Sequence, residues 1–311
     1  MSDARFSSVA DLLAEWRDDL LSGKGPVRYS VGLDGIEVGP GLVTLIGGAP
    51  GGGKTALVMQ LVCEALGRTP DLKAVVCNVE MSPAVLLDRQ LARLSGTDLS
   101  LIRHRRLGAA HGADLQRGLE ALERVADRLA FVRPPYDLAN VAASADAFDA
   151  SLIVLDYIQR IGAPGEHGDR RGSVDATMGY LRQFADAGTA VVVVAALARS
   201  KDARGRSSYD GASLSLASFR ETSELEYGAD DAFILAPEGE DDGRILKHLK
   251  SRHGEAGDIA LHFDGAHQRF TTAAPSPKPS GKAVGDGKLQ AALRAAWGRT
   301  SPAPDETRED W

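Results

Sequence analysis

From about residue 41 to residue 271, short apolar and β-branched runs alternate with stretches whose apolar positions recur at helical spacing. The runs predict strands over Leu42–Ile46, Ala74–Val79, Ala130–Val132, Leu152–Asp156, Ala190–Ala196, Ala232–Ala236, Arg244–Leu249 and Asp258–Phe263. The stretches between the early runs predict helices over Thr55–Leu66, Pro83–Leu94, Leu115–Arg128, Leu138–Phe148 and Val174–Ala187. Uninterrupted apolar strands separated by helices describe an α/β fold: a mainly parallel central sheet with helices on both faces. The last strands are joined by short turns such as Glu238–Gly243, so the sheet is expected to end in a C-terminal antiparallel hairpin. No internal repeat is visible.

The two ends read differently. Val9, Leu12, Leu13, Trp16 and Leu20 form one helical stripe, with Asp11, Glu15, Arg17 and Asp18 elsewhere around the wheel. Such a helix packs either on its own domain or on a neighbouring subunit. Beyond Thr271, Pro275, Pro277 and Pro279 alternate with Ser and Lys, which predicts a flexible tail with one short amphipathic interruption, Lys288–Trp297. The expected organisation is an N-terminal helical arm over 1–29, one α/β domain over 30–272 and a tail over 273–311.

Composition changes this picture little. A 25% charged and 43% hydrophobic chain of 311 residues is ordinary for a globular protein with a sizeable core. No apolar run is long enough to span a bilayer, and Met1–Asp11 has no basic stretch leading into an apolar one. A cytoplasmic location without membrane partners is therefore expected. Two cysteines, Cys63 and Cys77, lie in apolar segments and read as buried thiols. The seven histidines show no metal-ligand spacing with them, so no zinc site is expected. A net charge of −7 argues against whole-surface nucleic-acid binding but leaves room for a local basic groove.

The strongest chemical signal is Gly48-Ala49-Pro50-Gly51-Gly52-Gly53-Lys54-Thr55, which fits G-x-x-x-x-G-K-[ST] at every position. A strand runs into it and a helix starts at its end. The glycines let backbone N–H groups turn inward around phosphate oxygens, and the helix N-terminus adds partial positive charge. Lys54 is expected to reach the β/γ-phosphates of ATP and the Thr55 hydroxyl to ligate Mg²⁺. Asp156 ends a buried apolar strand and suits the metal-side carboxylate. Glu80 follows the strand Ala74–Val79; if that strand neighbours the P-loop strand, Glu80 points at the γ-phosphate as a base. Alternatively it begins the next helix.

Several further motifs resemble one family. Asn78-Val79-Glu80-Met81-Ser82, followed by a helix carrying Leu86, Leu87, Arg89 and Leu91, resembles the segment after the first strand–helix unit of DnaB-type replicative helicases. Asp156-Tyr157-Ile158-Gln159 is similar to that family's Asp-Tyr-Leu-Gln Walker B. Phe219-Arg220-Glu221-Thr222-Ser223, with Glu226 and Ala229-Asp230 after it, resembles its Leu-Arg-Glu-Ser-Gly…Glu-Gln-Asp-Ala-Asp stretch. Lys250-Ser251-Arg252-His253-Gly254 resembles its Lys-Gln-Arg-Asn-Gly. The order holds over about residues 30–271. The resemblance implies a RecA-like P-loop ATPase domain in a ring-forming homo-oligomer of the hexamer type. It implies that Glu80 is the catalytic glutamate. It also implies that Arg252 is an arginine finger, and Lys250 its partner, serving the next subunit. Its implied partners are single-stranded DNA and a replication protein.

Three departures stand out. No counterpart of the family's N-terminal domain is expected; only the Val9–Leu20 helix resembles its linker. Ala196 stands where the family's Ser-Gln-Leu-Asn-Arg has its glutamine, and alanine has no side-chain hydrogen bond to offer a γ-phosphate. Ser223 replaces a glycine near the DNA-facing turn. The resemblance places two loops along the DNA path. The first follows Gln159, with Arg160, Arg170 and Arg171. The second runs from Arg199 to about Ser223, with Lys201, Arg204, Arg206 and Arg220. Few aromatics accompany them, which argues against base-stacking recognition. The function these features imply is Mg²⁺-dependent ATP hydrolysis driving movement along single-stranded DNA as a helicase. The alternative is an ATP-dependent switch, loader or scaffold of the same build.

Overall fold

The computed structural model describes residues 7–165, 170–197, 200–201, 207–208, 214–219, 223–239 and 242–273. Its helices are α1 (Val9–Ser22), α2 (Lys54–Arg68), α3 (Pro83–Ser95), α4 (Leu99–Arg103), α5 (Gly112–Glu123), α6 (Leu138–Phe148), α7 (Arg170–Asp186) and α8 (Ser223–Gly228). Its strands are β1 (Val43–Gly48), β2 (Ala74–Asn78), β3 (Leu129–Phe131), β4 (Leu152–Asp156), β5 (Ala190–Ala196) and the two-residue β6 (Ser200–Lys201) and β7 (Ser207–Ser208). They continue with β8 (Asp231–Pro237), β9 (Gly243–Ser251), β10 (Ile259–Asp264) and β11 (Arg269–Thr272).

The main sheet has nine strands in the order β11-β10-β9-β8-β1-β5-β4-β2-β3. The six strands from β8 to β3 run parallel. β9, β10 and β11 continue from β8 as antiparallel neighbours. The expected hairpin is thus a four-strand antiparallel end. β11 was missed because it is only four residues, Arg-Phe-Thr-Thr, with a single buried side chain.

The central strands β1 and β4 are buried at every position, as strands covered on both faces must be. Their side chains alternate between two cores. Ile46, Val192 and Val194 pack with Leu57, Leu61 and Val62 of α2. Leu45, Val191 and Val193 pack with Val141 of α6 and Val174, Met178 and Leu181 of α7. Truncating a fully buried anchor such as Phe233 to alanine costs about 3–5 kcal/mol.

One helix ends earlier than its pattern suggests. α5 stops at Glu123, and a separate 3-10 turn, Ala126–Arg128, follows it and carries Arg128. Its guanidinium donates to the carbonyls of Leu66 (2.8 Å) and Thr69 (3.0 Å), capping the C-terminal end of α2. Cys63 and Cys77 are free and buried, and burial pushes their thiols up to about 11 and about 12.

The compact unit spans Val27–Pro275, and α1 belongs to a separate unit. α1 is capped by Ser8, whose hydroxyl accepts from Asp11 N (3.1 Å) while the Asp11 carboxylate accepts from Ser8 N (3.2 Å). None of its residues is buried, and Val9, Leu12, Leu13, Trp16 and Leu20 are exposed. The expected tail beyond Ala273, with Lys288–Trp297, lies outside the described residues.

Candidate active site at the carboxyl edge of the sheet

β1 delivers the chain into the glycine-rich loop at the carboxyl end of the parallel strands. Gly51 (φ 75°) and Gly53 (φ 96°) take left-handed conformations that a side chain resists. A Cβ on Gly48 would lie 2.9 Å from the Leu235 carbonyl oxygen, so β8 presses against the loop there. α2 begins directly at Lys54 with no acidic residue in its first turn, which leaves its positive end unopposed.

Lys54 folds back on this loop. Its Nζ donates to the carbonyls of Gly48 (2.8 Å) and Ala49 (2.9 Å). Burial pulls its pKa below the ordinary lysine value, against the opposing pull of Asp156 and Glu80. Thr55 Oγ1 donates to Asp156 Oδ2 at 2.6 Å, and Asn78 Nδ2 donates to the same oxygen at 2.7 Å. Burial, with the nearby Glu80 carboxylate adding to it, holds the Asp156 pKa above the usual carboxylate range, although Thr55, Lys54 and Asn78 act the other way.

Glu80 reaches this site by a different route from the one its sequence context suggests. β2 does not neighbour β1: β5 and β4 lie between them. β2 instead pairs with β4, with Asn78 opposite Asp156. Asn78 then turns the chain, its Oδ1 accepting from Glu80 N (3.0 Å) and Met81 N (2.7 Å). Glu80 lies in that turn, ahead of the Ser82 cap of α3, and it is exposed. The strand order still brings it to one cavity of about 550 Å³ with Gly51, Gly53, Lys54, Thr55 and Asp156.

Five other side chains line that cavity without having been singled out as site residues: Met81, Arg89, Tyr157, Phe263 and Gln268. Arg89 projects from α3, where burial and the nearby Arg103 lower its pKa. Phe263 stacks on Phe270 with ring centroids 4.3 Å apart. Arg89 carried a signal in its place after Glu80; Phe263 comes from β10 and Gln268 from the turn between β10 and β11, and only long-range pairing brings them here. Ala196 also lines the cavity. Its backbone is gripped by Gln159, which donates to Ala196 O and accepts from Ala196 N, each at 3.1 Å.

The sequence matches the family described as "DnaB-like helicase C terminal domain" over residues 33–272. The chain belongs to that family. Two of the solved structures that share its fold illustrate the likeness. One is described as "ATPase Domain of G40P", with a TM-score of 0.72 at 16% identity, covering 86% of this chain and 100% of that one. The other is described as "The Structure Of A DnaB-Like Replicative Helicase And Its Interactions With Primase", with a TM-score of 0.70 at 18% identity, covering 87% of this chain and 68% of that one. Among curated proteins, none matches the sequence.

Membership of the DnaB-like family implies nucleotide and Mg²⁺ use, and the residues fit both. Gly51 and Gly53 hold the loop in left-handed backbone conformations that side chains resist, as a loop turning its N–H groups toward a phosphate requires. The Thr55 hydroxyl and the Asp156 carboxylate are hard oxygen donors side by side, suited to a cation that keeps waters and shares phosphate oxygens with its substrate. Among the described residues no group of three or more His, Cys, Asp or Glu side chains is placed to hold a metal. No described helix is long and apolar enough to cross a membrane.

Lys250 and Arg252 sit at the other end of the DnaB-like domain. β8 runs parallel to β1 with Asp231 opposite Thr44, and β9 returns antiparallel with Ser251 opposite Asp231. Ser251 is thus level with Thr44, so roughly 13 Å of strand, together with two strand spacings of about 5 Å each across the sheet, separates this end from the P-loop. They are not loose solvated charges. Lys250 Nζ donates to Ala229 O (2.6 Å) and Tyr227 O (3.2 Å). Arg252 Nη1 donates to Asp230 Oδ1 (2.8 Å) and Nη2 to Tyr227 O (3.1 Å).

Of the expected DNA contacts, Arg170 and Arg171 form the start of α7 instead of lying in a loop, and Lys201 lies on β6. Arg204, Arg206 and Arg220 lie outside the described residues.

Proposed function

We propose that this protein is a Mg²⁺-dependent ATPase that works as a hexameric ring of its own copies, binds single-stranded DNA in the cytoplasm and translocates along it as a helicase. One observation carries this reading. The groups fit for a triphosphate, Lys54, Thr55, Asp156 and Glu80, gather at one edge of the sheet, while Lys250 and Arg252 lie at the opposite edge, beyond reach of their own cavity. A site with both halves forms only between neighbouring copies.

Within such a site Lys54 exchanges the carbonyls of Gly48 and Ala49 for β- and γ-phosphate oxygens. Thr55 and Asp156 would hold Mg²⁺, which would offset the negative charge of the bound triphosphate. Glu80 accepts the proton of the attacking water. Arg89, half-buried in the cavity wall, adds positive charge from the same chain. Arg252 and Lys250 of the neighbouring copy stabilise the charge that develops on the transferred phosphoryl group, which makes hydrolysis depend on assembly. The exposed apolar stripe of α1 suits docking on an adjacent copy. Arg170, Arg171, Lys201, Arg204, Arg206 and Arg220 supply positive charge along the strand path, and a replication protein is the expected partner.

A second reading, an ATP-dependent switch or loader that does not unwind, is favoured by Ala196. The cavity wall there offers only a methyl group, and Gln159 already occupies the backbone behind it. Steady-state ATPase with and without single-stranded DNA, run beside native mass determination, decides between the two. Stimulation by DNA in a ring-sized species supports the motor. ATP turnover without any DNA response supports the switch, and no turnover in an assembled ring removes both.

A further inference from the structure

Asp230 is 2% exposed, yet it carries a carboxylate that the P-loop chemistry does not use. Oδ2 accepts from Arg182 Nη1 at 2.6 Å and from the backbone N–H of Val43 at 2.8 Å. Oδ1 accepts from Arg252 Nη1 at 2.8 Å, and His253 Nε2 lies 3.8 Å away. The Asp230 carbonyl also accepts from Arg252 N at 2.9 Å. Val43 is the first residue of β1, the strand that ends in the P-loop, and Arg182 lies on α7 and donates further to Gly41 O at 2.6 Å. One buried carboxylate therefore joins the base of the P-loop strand, helix α7 and the guanidinium of Arg252.

We propose that Asp230 is a positioning residue for the active site of the neighbouring copy: it fixes Arg252 against the root of β1, so that the in-trans cation is presented in one orientation. The proposal rests on the reading of Arg252 as a trans-acting residue. Three features support it. A carboxylate buried this deeply needs compensation, and here two guanidinium groups and a backbone N–H supply it. Arg252 is held at both terminal nitrogens, by Asp230 and by Tyr227 O, while its side chain remains 45% exposed and open to a partner. The anchor is also rigid, because Val43 is wholly buried and paired on β1 with Val191 of β5. Holding a long side chain in place beforehand removes the ordering cost from the moment of reaction. The same link makes the two half-sites of one chain move as a body, since the carboxylate that orients Arg252 is bonded to the strand that carries Lys54.

The test uses the 311-residue chain and five variants. Asp230→Asn keeps the shape and removes the charge. It is expected to lower ATPase about tenfold to a hundredfold, the scale of misplacing a catalytic group, with nucleotide affinity unchanged. Mixed with Lys54→Ala chains it should regain activity, because its intact P-loop meets an intact Arg252. Mixed with Arg252→Ala chains it should not. The double variant Asp230→Asn/Arg252→Ala should be no slower than Arg252→Ala alone. Failure of the Lys54→Ala mixture to recover, or an additive loss in the double variant, makes Asp230 a general structural residue and overturns the proposal. ATPase above wild type in Asp230→Asn overturns it too, by showing that Asp230 restrains Arg252. If Asp230→Asn does not fold, Arg252→Lys takes its place. It keeps the charge but cannot span Asp230 and Tyr227 O together, so turnover at the wild-type rate sinks the clamp. Failure of the underlying trans reading is seen separately, as wild-type ATPase in Arg252→Ala itself.

Discussion

The two edges of the parallel sheet hold their charges in opposite ways. At the carboxyl edge Lys54 is satisfied by two loop carbonyls, a set of bonds that phosphate oxygens can replace. Asp156 there takes both of its side-chain donors on one oxygen. At the amino edge Arg252 is bound to a buried carboxylate that is itself bound to β1. One edge is built to exchange its partners for a ligand; the other is built to keep a side chain still. On the proposed reading the difference follows from what each would do, since a site that admits substrate has to release contacts, whereas a group offered to another subunit gains from being fixed in advance.

The contrast breaks most readily at the carboxyl edge. Lys54→Ala is expected to reduce hydrolysis by at least about a hundredfold, the scale of removing a fixed charge-stabilising donor, and turnover within a few-fold of wild type would refute the P-loop assignment. Glu80→Gln should cost a similar factor, about a hundredfold, in turnover while ATP binding by calorimetry stays close to wild type. An equal loss of binding would make Glu80 a structural residue.

Asp156→Asn sharpens the same comparison through stability. Burial raises the Asp156 pKa in the fold above its unfolded value. The ligand-free protein therefore has the full benefit of protonating this group below the ordinary Asp value, and loses it as pH rises through the folded pKa. The asparagine variant avoids that loss. Its ligand-free Tm at neutral pH should equal or exceed that of wild type, its Tm should fall less as pH rises, and its Mg²⁺-dependent turnover should be lost. A clear drop in Tm at neutral pH would show that the charged form is the stabilising one.

A smaller change is expected from Ala196→Gln, which restores a hydrogen-bonding side chain in the cavity wall. Stimulation by single-stranded DNA should rise a few-fold, because coupling requires a contact that differs between nucleotide states. An unchanged response in both proteins would favour the switch reading. The subtlest test is removal of residues 1–24: native mass should shift toward smaller species if α1 bridges copies, and an unchanged mass would return the helix to its own chain.

Much of this protein is legible along the chain. Leu152–Asp156 and Ala190–Ala196 are strands at the boundaries their apolar runs predict, because a strand buried on both faces tolerates no polar interruption. The P-loop is equally local, since its glycines, Lys54 and Thr55 are consecutive and the strand before them and the helix after them are dictated by neighbouring residues. Strand order is another matter. That β2 lies beside β4 and three places from β1 is decided by which faces pack together, and it changes how Glu80 arrives at the site. The same holds for Phe263 and Gln268, brought to the P-loop by an antiparallel strand and its turn that follow it by more than two hundred residues. Asp230 is the clearest case. In the chain it is one acid in an Ala-Asp-Asp run; its meaning comes from Val43, Arg182 and Arg252, which are distant in sequence and meet only because β1, β8 and β9 share a sheet and α7 crosses it. Local motifs need only their neighbours to specify geometry, whereas a carboxylate shared by three elements exists only once the long-range pairings have formed.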